Sequence, residues 1–468
     1  MRRLTSTLAV ALVLTGLTAG VAHARPGQQV TFEAPGALIN PSTRADTLEK
    51  YDTLGVKAVR IIVGWANVAP DATSTVRPSV DLTDPASYNW GQYPAAIAAA
   101  RAQGLDILLT IAGPAPRWGT EGAKDQITKP RASDYQHFVT AIARRFGDEV
   151  QTWGVWNEPN FRTFLAPQFI KGKPASPAVY RRLYLGAVAG MKAAGRPGAR
   201  LLIGETAPRA GADGVGPLAF LRGVLCLDAK YKRIKSQKCA KLPVYGWAHH
   251  PYAPAAGPFF LPSKKDDVTI GSLSRLTTAL SKAMKAGAIS SGGKRVFLTE
   301  FGVQSYPDKL AGVPLDKQSD YRSISEKLAW NNPHVYGFSQ YLLQDDAIGS
   351  SAQDQERYSG FQSGLETFAG KKKPSFDGFR LPLVATPVGS SISLWGLVRP
   401  ATGRTKVTLL RADHGSKTFK SFKVVRTKSD GSWTLKTSNA SGRRWRVSWK
   451  SPDGTTFFGS PTKPYKRP

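Results

Sequence analysis

From residue 28 to about 370 the chain alternates between two spacings of apolar residues. Short β-rich apolar runs occupy 30–34, 58–65, 106–113, 152–156, 200–206, 244–252, 295–302 and 335–343, and each ends in Gly, Pro, Trp or a polar cluster. Between them lie stretches with apolar residues three and four apart, at 43–54, 93–103, 133–146, 177–194, 270–286 and 317–330, which predict amphipathic helices. Pro177 suits a first helical turn, and Asp134 and Asp320 sit near helix starts, where the dipole favours an acid. Eight buried runs separated by helices predict a parallel sheet closed on itself, a (β/α)8 TIM barrel. An open doubly wound sheet would carry a Gly-rich turn after its first strand. Phe32-Glu33-Ala34-Pro35-Gly36 is not one.

The texture changes after Lys371-Lys372-Lys373-Pro374. Residues 381–387, with two prolines, read as a linker. Residues 388–468 show no helical period. They carry short alternating runs at 391–398, 406–411, 419–426, 432–437 and 445–449, with turn signals at Asp430-Gly431 and Asp453-Gly454. This predicts a small all-β, sandwich-like domain. The expected division is a signal segment 1–24, a barrel over 25–380 and a β domain over 388–468.

Composition adds one anomaly. Of 468 residues 41% are hydrophobic, enough to fill a core, and the net charge is +31. Such charge suggests a polyanion partner, nucleic acid included. The β domain alone holds 17 Lys and Arg against three Asp, a net +14. Two features oppose nucleic acid: no motif for it is present, and the N-terminus reads as a secretory signal. Arg2 and Arg3 precede an apolar stretch at 8–17 and the small-x-small pattern Ala22-His23-Ala24. The expected setting is outside the cell, where the polyanion would be a cell-wall polymer or acidic glycan. No segment has the length of a membrane span. Cys226 and Cys239 are expected to pair as a local, structural disulfide.

In a barrel of this kind chemistry sits at the C-terminal ends of the strands. Run four ends Trp156-Asn157-Glu158-Pro159-Asn160 and run seven ends Leu298-Thr299-Glu300-Phe301-Gly302. Two carboxylates at two strand tips can flank one glycosidic bond, one as acid and one as nucleophile. Glu205 at run five and Glu33 at run one are rival carboxylates. His249 and His250 point to opposite faces if extended, which opposes a shared metal site.

Asn-Glu-Pro on strand four with Glu on strand seven resembles clan A of the retaining glycoside hydrolases, with families 5 and 39 nearest in texture. The resemblance implies that Glu158 is the acid/base and Glu300 the nucleophile. It implies that Asn157 binds a sugar hydroxyl, that Arg60 supports the nucleophile, and that His250 and Tyr252 form the strand-six His-x-Tyr. Trp65, Trp90, Trp118, Phe259, Phe260, Tyr306 and Tyr341 lie at or beyond strand ends and are either stacking platforms for sugar C–H faces or loop packing; Trp65, Trp118 and Tyr341 are taken as substrate-binding. Trp156 and Phe161 are expected to desolvate Glu158. Asp345 and Asp346 are either sugar-binding or solvated loop acids. The chain departs from the family 5 pattern at Ala112-Gly113-Pro114, where a His is frequent, and at Phe338-Ser339-Gln340-Tyr341, where a Trp is frequent. The expected function is secreted, retaining hydrolysis of a carbohydrate O-glycoside by a monomer. The chemistry requires no metal or organic cofactor. A non-catalytic glycan-binding barrel of the cell envelope is the alternative.

Overall fold

A computed structural model describes residues 28–465 apart from Ala34 and Thr402. The expected signal segment lies outside these residues. Eight parallel strands close a barrel: β1 (Gln29–Glu33), β2 (Ala58–Gly64), β3 (Asp106–Ala112), β4 (Thr152–Val155), β5 (Leu201–Thr206), β6 (Gly246–His249), β7 (Val296–Leu298) and β8 (Val335–Tyr341). β1 pairs with β2 on one side and with β8 on the other, from Gln29 opposite Gly337 to Glu33 opposite Tyr341. One helix of seven residues or more follows each strand: α1 (Pro41–Leu54), α2 (Tyr93–Ala102), α3 (Ala132–Phe146), α4 (Ser176–Ala193), α5 (Pro217–Val224), α6 (Ser274–Lys285), α7 (Leu315–Trp330) and α8 (Pro374–Arg380).

The strands read as continuous apolar runs because helices cover one face and barrel-filling side chains the other. In β2, Val59, Ile61 and Val63 pack outward into the main core, while Arg60 between them turns inward. α1 shows the local logic of a helix. Asn40 caps it by accepting from the Ser42 amide at 3.0 Å, and Gly55, at φ 66°, closes it in the left-handed region.

The β domain starts earlier than the sequence suggests. The presumed linker is a strand, β9 (Leu383–Val388). It pairs with β10 (Ser391–Leu397), which pairs with β13 (Ser432–Ser438). Pro387 is tolerated because β9 is an edge strand. The second sheet runs β12 (Lys420–Arg426), β11 (Lys406–Ala412), β14 (Arg444–Lys450) and β15 (Thr456–Phe458). Ile392 and Leu394 of one sheet and Val407, Leu409, Trp445 and Trp449 of the other share one core, so the two form a sandwich.

The sandwich docks on α7. Ile324 and Trp330 pack with Val384, Trp395 and Leu397. Glu326 receives Arg399 at 2.6 and 3.0 Å and Arg322 at 2.6 Å, all buried. Burial alone would raise Glu326, but the two guanidiniums hold its carboxyl down at about 2. Cys226 and Cys239 form a disulfide that ties a loop on the barrel. Among the described residues no helix is long and apolar enough to cross a membrane.

Candidate active site

The strand tips converge on Arg60. Its Nη1 donates to Glu33 Oε2 and Glu300 Oε1, each at 2.6 Å. Its Nη2 donates to Asn157 Oδ1 at 2.9 Å and Glu205 Oε2 at 3.1 Å, and its Nε to Thr110 Oγ1 at 3.0 Å. The rigid fork of one guanidinium therefore ties strands β1, β2, β3 and β5 to the tips of β4 and β7.

His250 forms a second junction. Its Nδ1 lies 2.9 Å from Glu158 Oε1 and 3.5 Å from Glu300 Oε2, and its Nε2 lies 3.0 Å from Glu205 Oε2. Both ring nitrogens face carboxylates. The Tyr252 hydroxyl donates to Glu300 Oε2 at 3.1 Å, and Thr299 Oγ1 to Glu205 Oε2 at 2.8 Å. Gly154 makes room for this layer: a Cβ there would overlap Glu205 Oε1 and Thr110 Oγ1.

Exposure separates the four carboxylates. The side chains of Glu33 and Glu205 are 1% and 0% exposed, those of Glu300 and Glu158 11% and 17%. The first two are bound inside the barrel; the last two reach the open mouth. Glu158, His250 and Glu300 each bring one atom within 4.8 Å of the others. That span could accept a metal ion. The hydrogen-bonding of both His250 nitrogens to carboxylates favours an imidazolium over a metal-ligating ring.

Four carboxylates face two basic groups, and the electrostatics follow. Burial pushes Glu33 up to about 8 against the pull of Arg60, and burial likewise raises Glu158. For Glu205, burial would raise the pKa, but Arg60, with help from His250 and Thr299, holds it below the ordinary value. Burial would lower His250; Glu300, Glu158 and Glu205 instead raise it to about 10.

The backbone is strained where the site is built. Trp156, Glu158 and Glu205 have φ of 66°, 38° and 46°. Left-handed non-glycine residues cost about 1–3 kcal/mol each and are held only by well-determined surroundings. The Glu158 amide is fixed by the Glu205 carbonyl at 2.9 Å.

Comparison with known proteins bears on the same half of the barrel. Residues 22–169 match the model of the cellulase family, glycosyl hydrolase family 5. That span reaches from before β1 to just past Glu158. A curated Arabidopsis thaliana protein named "Putative beta-glucosidase 41" is 24% identical over 145 residues, 28% of this chain. The match spans 25% of that protein's length. Two solved structures share the fold: a glucosidase from Croceicoccus marinus (15% identity, TM-score 0.53, covering 91% of this chain and 95% of that one) and a monomeric beta-xylosidase from Caulobacter crescentus CB15 (16%, 0.51, 94% and 98%).

The barrel resembles clan A of the glycoside hydrolases.

Against that background, the structure sorts the residues expected at the site. Glu158, Glu300, Arg60, Asn157, His250 and Tyr252 are brought together. Tyr341 stands edge-on to Tyr252, with centroids 6.4 Å apart. Trp65 and Trp118 are not on the cleft. Both are fully buried; Trp65 stacks on Phe138 at 5.7 Å and meets Trp118 edge-on at 5.8 Å. The short turn after β2 and the loop after β3 fold these indoles under the barrel rim, so they are packing and not sugar platforms. Trp156 is also fully buried, its Nε1 bonded to the Phe164 carbonyl. Asp345 is a buried partner of Lys373 at 2.6 Å, and not a sugar contact or a solvated acid. His249 packs against Thr206 and Val268, and burial lowers it to about 3.

Of the cleft beside Glu158, sequence reasoning suggested Phe161 and Phe260 and missed the rest. A cavity of about 580 Å³ is lined by Phe161, Pro208, Arg209, Phe260, Lys264 and Asp267, among others. These come from the loops after β4, β5 and β6, whose length was visible but whose convergence was not. It also missed the polar floor of Thr110 and Thr299, which look like ordinary strand threonines in isolation.

Proposed function

We propose that the chain is an O-glycoside hydrolase acting with retention of configuration. The observation that carries this is the pair Glu158 and Glu300, the two barrel carboxylates that reach the mouth, with an oxygen of each within 4.8 Å of the other. Retaining pairs sit about 5–5.5 Å apart; inverting pairs need about 6.5–9.5 Å to admit a water. Glu158, raised by burial, protonates the leaving oxygen. Glu300 attacks the anomeric carbon while Arg60 and Tyr252 hold its two oxygens. Glu158 then takes a proton from water, which releases the covalent intermediate. The Asn157 NH₂ has no protein partner among the described residues and is available to a sugar hydroxyl.

The Cys226–Cys239 disulfide and the signal-like 1–24 segment support secretion. The test is hydrolysis of a panel of activated aryl glycosides followed by proton NMR. The first-formed sugar should have the anomeric configuration of the substrate. Glu158→Gln and Glu300→Gln should each abolish turnover. Inversion, or activity retained in either variant, would sink the assignment.

A further inference from the structure

A cluster of cations that makes no ion pair among the described residues lies far in sequence from the barrel mouth, on the outer face of the four-stranded sheet. Val407 and Trp449 pair across β11 and β14 and point into the sandwich core. Their neighbours Lys406 and Lys450 therefore point outward. Arg426 of β12 stands directly opposite Lys406. Arg404 enters from the loop before β11. These four cations rim a groove of about 620 Å³ floored by Thr408 and Ser448.

Like charges directly opposite on neighbouring strands destabilise a sheet. The domain has three acids with which to relieve them and uses none here. Asp413 pairs with Arg443 at 2.7 Å. Asp430 accepts from Ser432 at 2.6 Å, and Asp453 accepts from the Thr455 amide at 2.9 Å. The groove is also held in shape. Thr405 beside Arg404 receives Trp449 Nε1 at 3.0 Å, and its amide donates to Thr427 Oγ1 at 2.9 Å. The strands that carry the cations are thus fixed before an anion enters, and only the cation side chains remain to be ordered.

We propose that this groove binds an anionic polysaccharide, through carboxylates or phosphates strung along the chain. Adjacent strands lie about 4.8 Å apart, so the cations present a regular ladder to a linear polymer. Hydroxyls on the floor suit sugar hydroxyls. No aromatic ring lines the groove among the described residues. Single-stranded nucleic acid binding relies on stacking platforms that this groove lacks.

The full chain is the reagent, and the proposal is independent of the reading of the barrel. Binding is measured to polygalacturonate, to polyphosphate and to single-stranded DNA of similar charge, across a salt series. The groove variant is Lys406→Gln with Lys450→Gln. The charge-matched control is Lys417→Gln with Lys436→Gln, both exposed outside the groove. The groove variant should weaken binding about tenfold or more and lower the slope of log K against log salt by about two, one per cation removed. The control should change little, and Lys406→Arg with Lys450→Arg should restore binding, which separates charge loss from misfolding. Preference for polygalacturonate or for polyphosphate identifies the anion. Equal loss in groove and control variants, tighter binding of DNA than of either polymer, or no binding at physiological salt would overturn the proposal.

Discussion

Replacing Arg60 with lysine tests whether the barrel floor positions Glu300, the proposed nucleophile. Arg60 makes five hydrogen bonds, four of them from Nη1 and Nη2 to Glu33, Glu300, Asn157 and Glu205. A lysine ammonium has three donors and no fork. At least two acceptors are abandoned, and bonds to charged groups contribute about 1.5–3 kcal/mol each. The expected loss of stability is about 3–6 kcal/mol, large against the 5–15 kcal/mol of a typical domain but short of unfolding it outright. Activity should suffer more in kcat than in KM. Glu300 loses its 2.6 Å anchor, and a misplacement of about 1 Å costs about 100-fold. The assay is kcat and KM on the best aryl glycoside, with a thermal melt of the same preparation. Arg60→Met sharpens the comparison. It leaves Glu33, Glu205 and Glu300 with His250 as their one basic neighbour, and uncompensated buried charge costs about 3–5 kcal/mol or more. The methionine variant should therefore melt well below the lysine variant. A folded Arg60→Lys enzyme with kcat within about threefold of the parent would refute the reasoning.

Three further outcomes follow from the same geometry. Gly154→Ala should cost about 1–3 kcal/mol by overpacking and lower activity, because the new methyl displaces Glu205 from Arg60 and His250; an unchanged melt and rate would mean the layer is slack. Glu33 has a folded pKa of about 8 against 4.5, so the folded state holds more protons across that window and stability falls as pH rises through it. Glu33→Gln should remove this fall, measured as a flatter profile of melting temperature between pH 5 and 9 than the parent shows (bounds about those of the shift). Asp320, raised by burial to about 7, sits where Thr462 of the β domain donates to it at 2.7 Å; by the same sign Asp320→Asn should stabilise the protein above neutral pH and not below about pH 4, and the opposite ordering in a pH series of melts would show that the carboxylate is solvated.

How much of this was legible in the sequence depends on the range over which each signal acts. The eight strands were readable because burial on both faces leaves local apolar runs, and the observed bounds differ from the runs mainly at their polar ends. β9 was lost because Pro382 and Pro387 are local breakers whose tolerance depends on a sheet edge, a property of the partner strands. The two mouth glutamates were visible because strand-tip motifs are short. The network beneath them was only partly visible: Glu33, Arg60, Glu205 and His250 are scattered over more than two hundred residues, and nothing local tells a barrel-lining acid from a surface one. Trp65 and Trp118 failed for the converse reason. A large aromatic beyond a strand end is equally suited to a cleft or to the packing under its rim, and only the path of the loop decides.

That scattered network explains what the motifs alone do not. A glutamate in Asn-Glu-Pro is not an acid by virtue of its neighbours in sequence. Glu158 is raised because burial demands neutrality, and the cations that could ionise it are already engaged: Arg60 by Glu33, Glu205 and Glu300, and His250 by Glu205 and Glu300 as well as by Glu158 itself. Remove a carboxylate from below, and Arg60 or His250 has more charge to spend on the mouth, which lowers Glu158. The buried acids thus bear on the protonation of Glu158. The alkaline limb of the pH–rate profile, where the proposed acid Glu158 loses its proton, should accordingly move to lower pH when Glu205→Gln is made, even though Glu205 lies buried beneath the mouth.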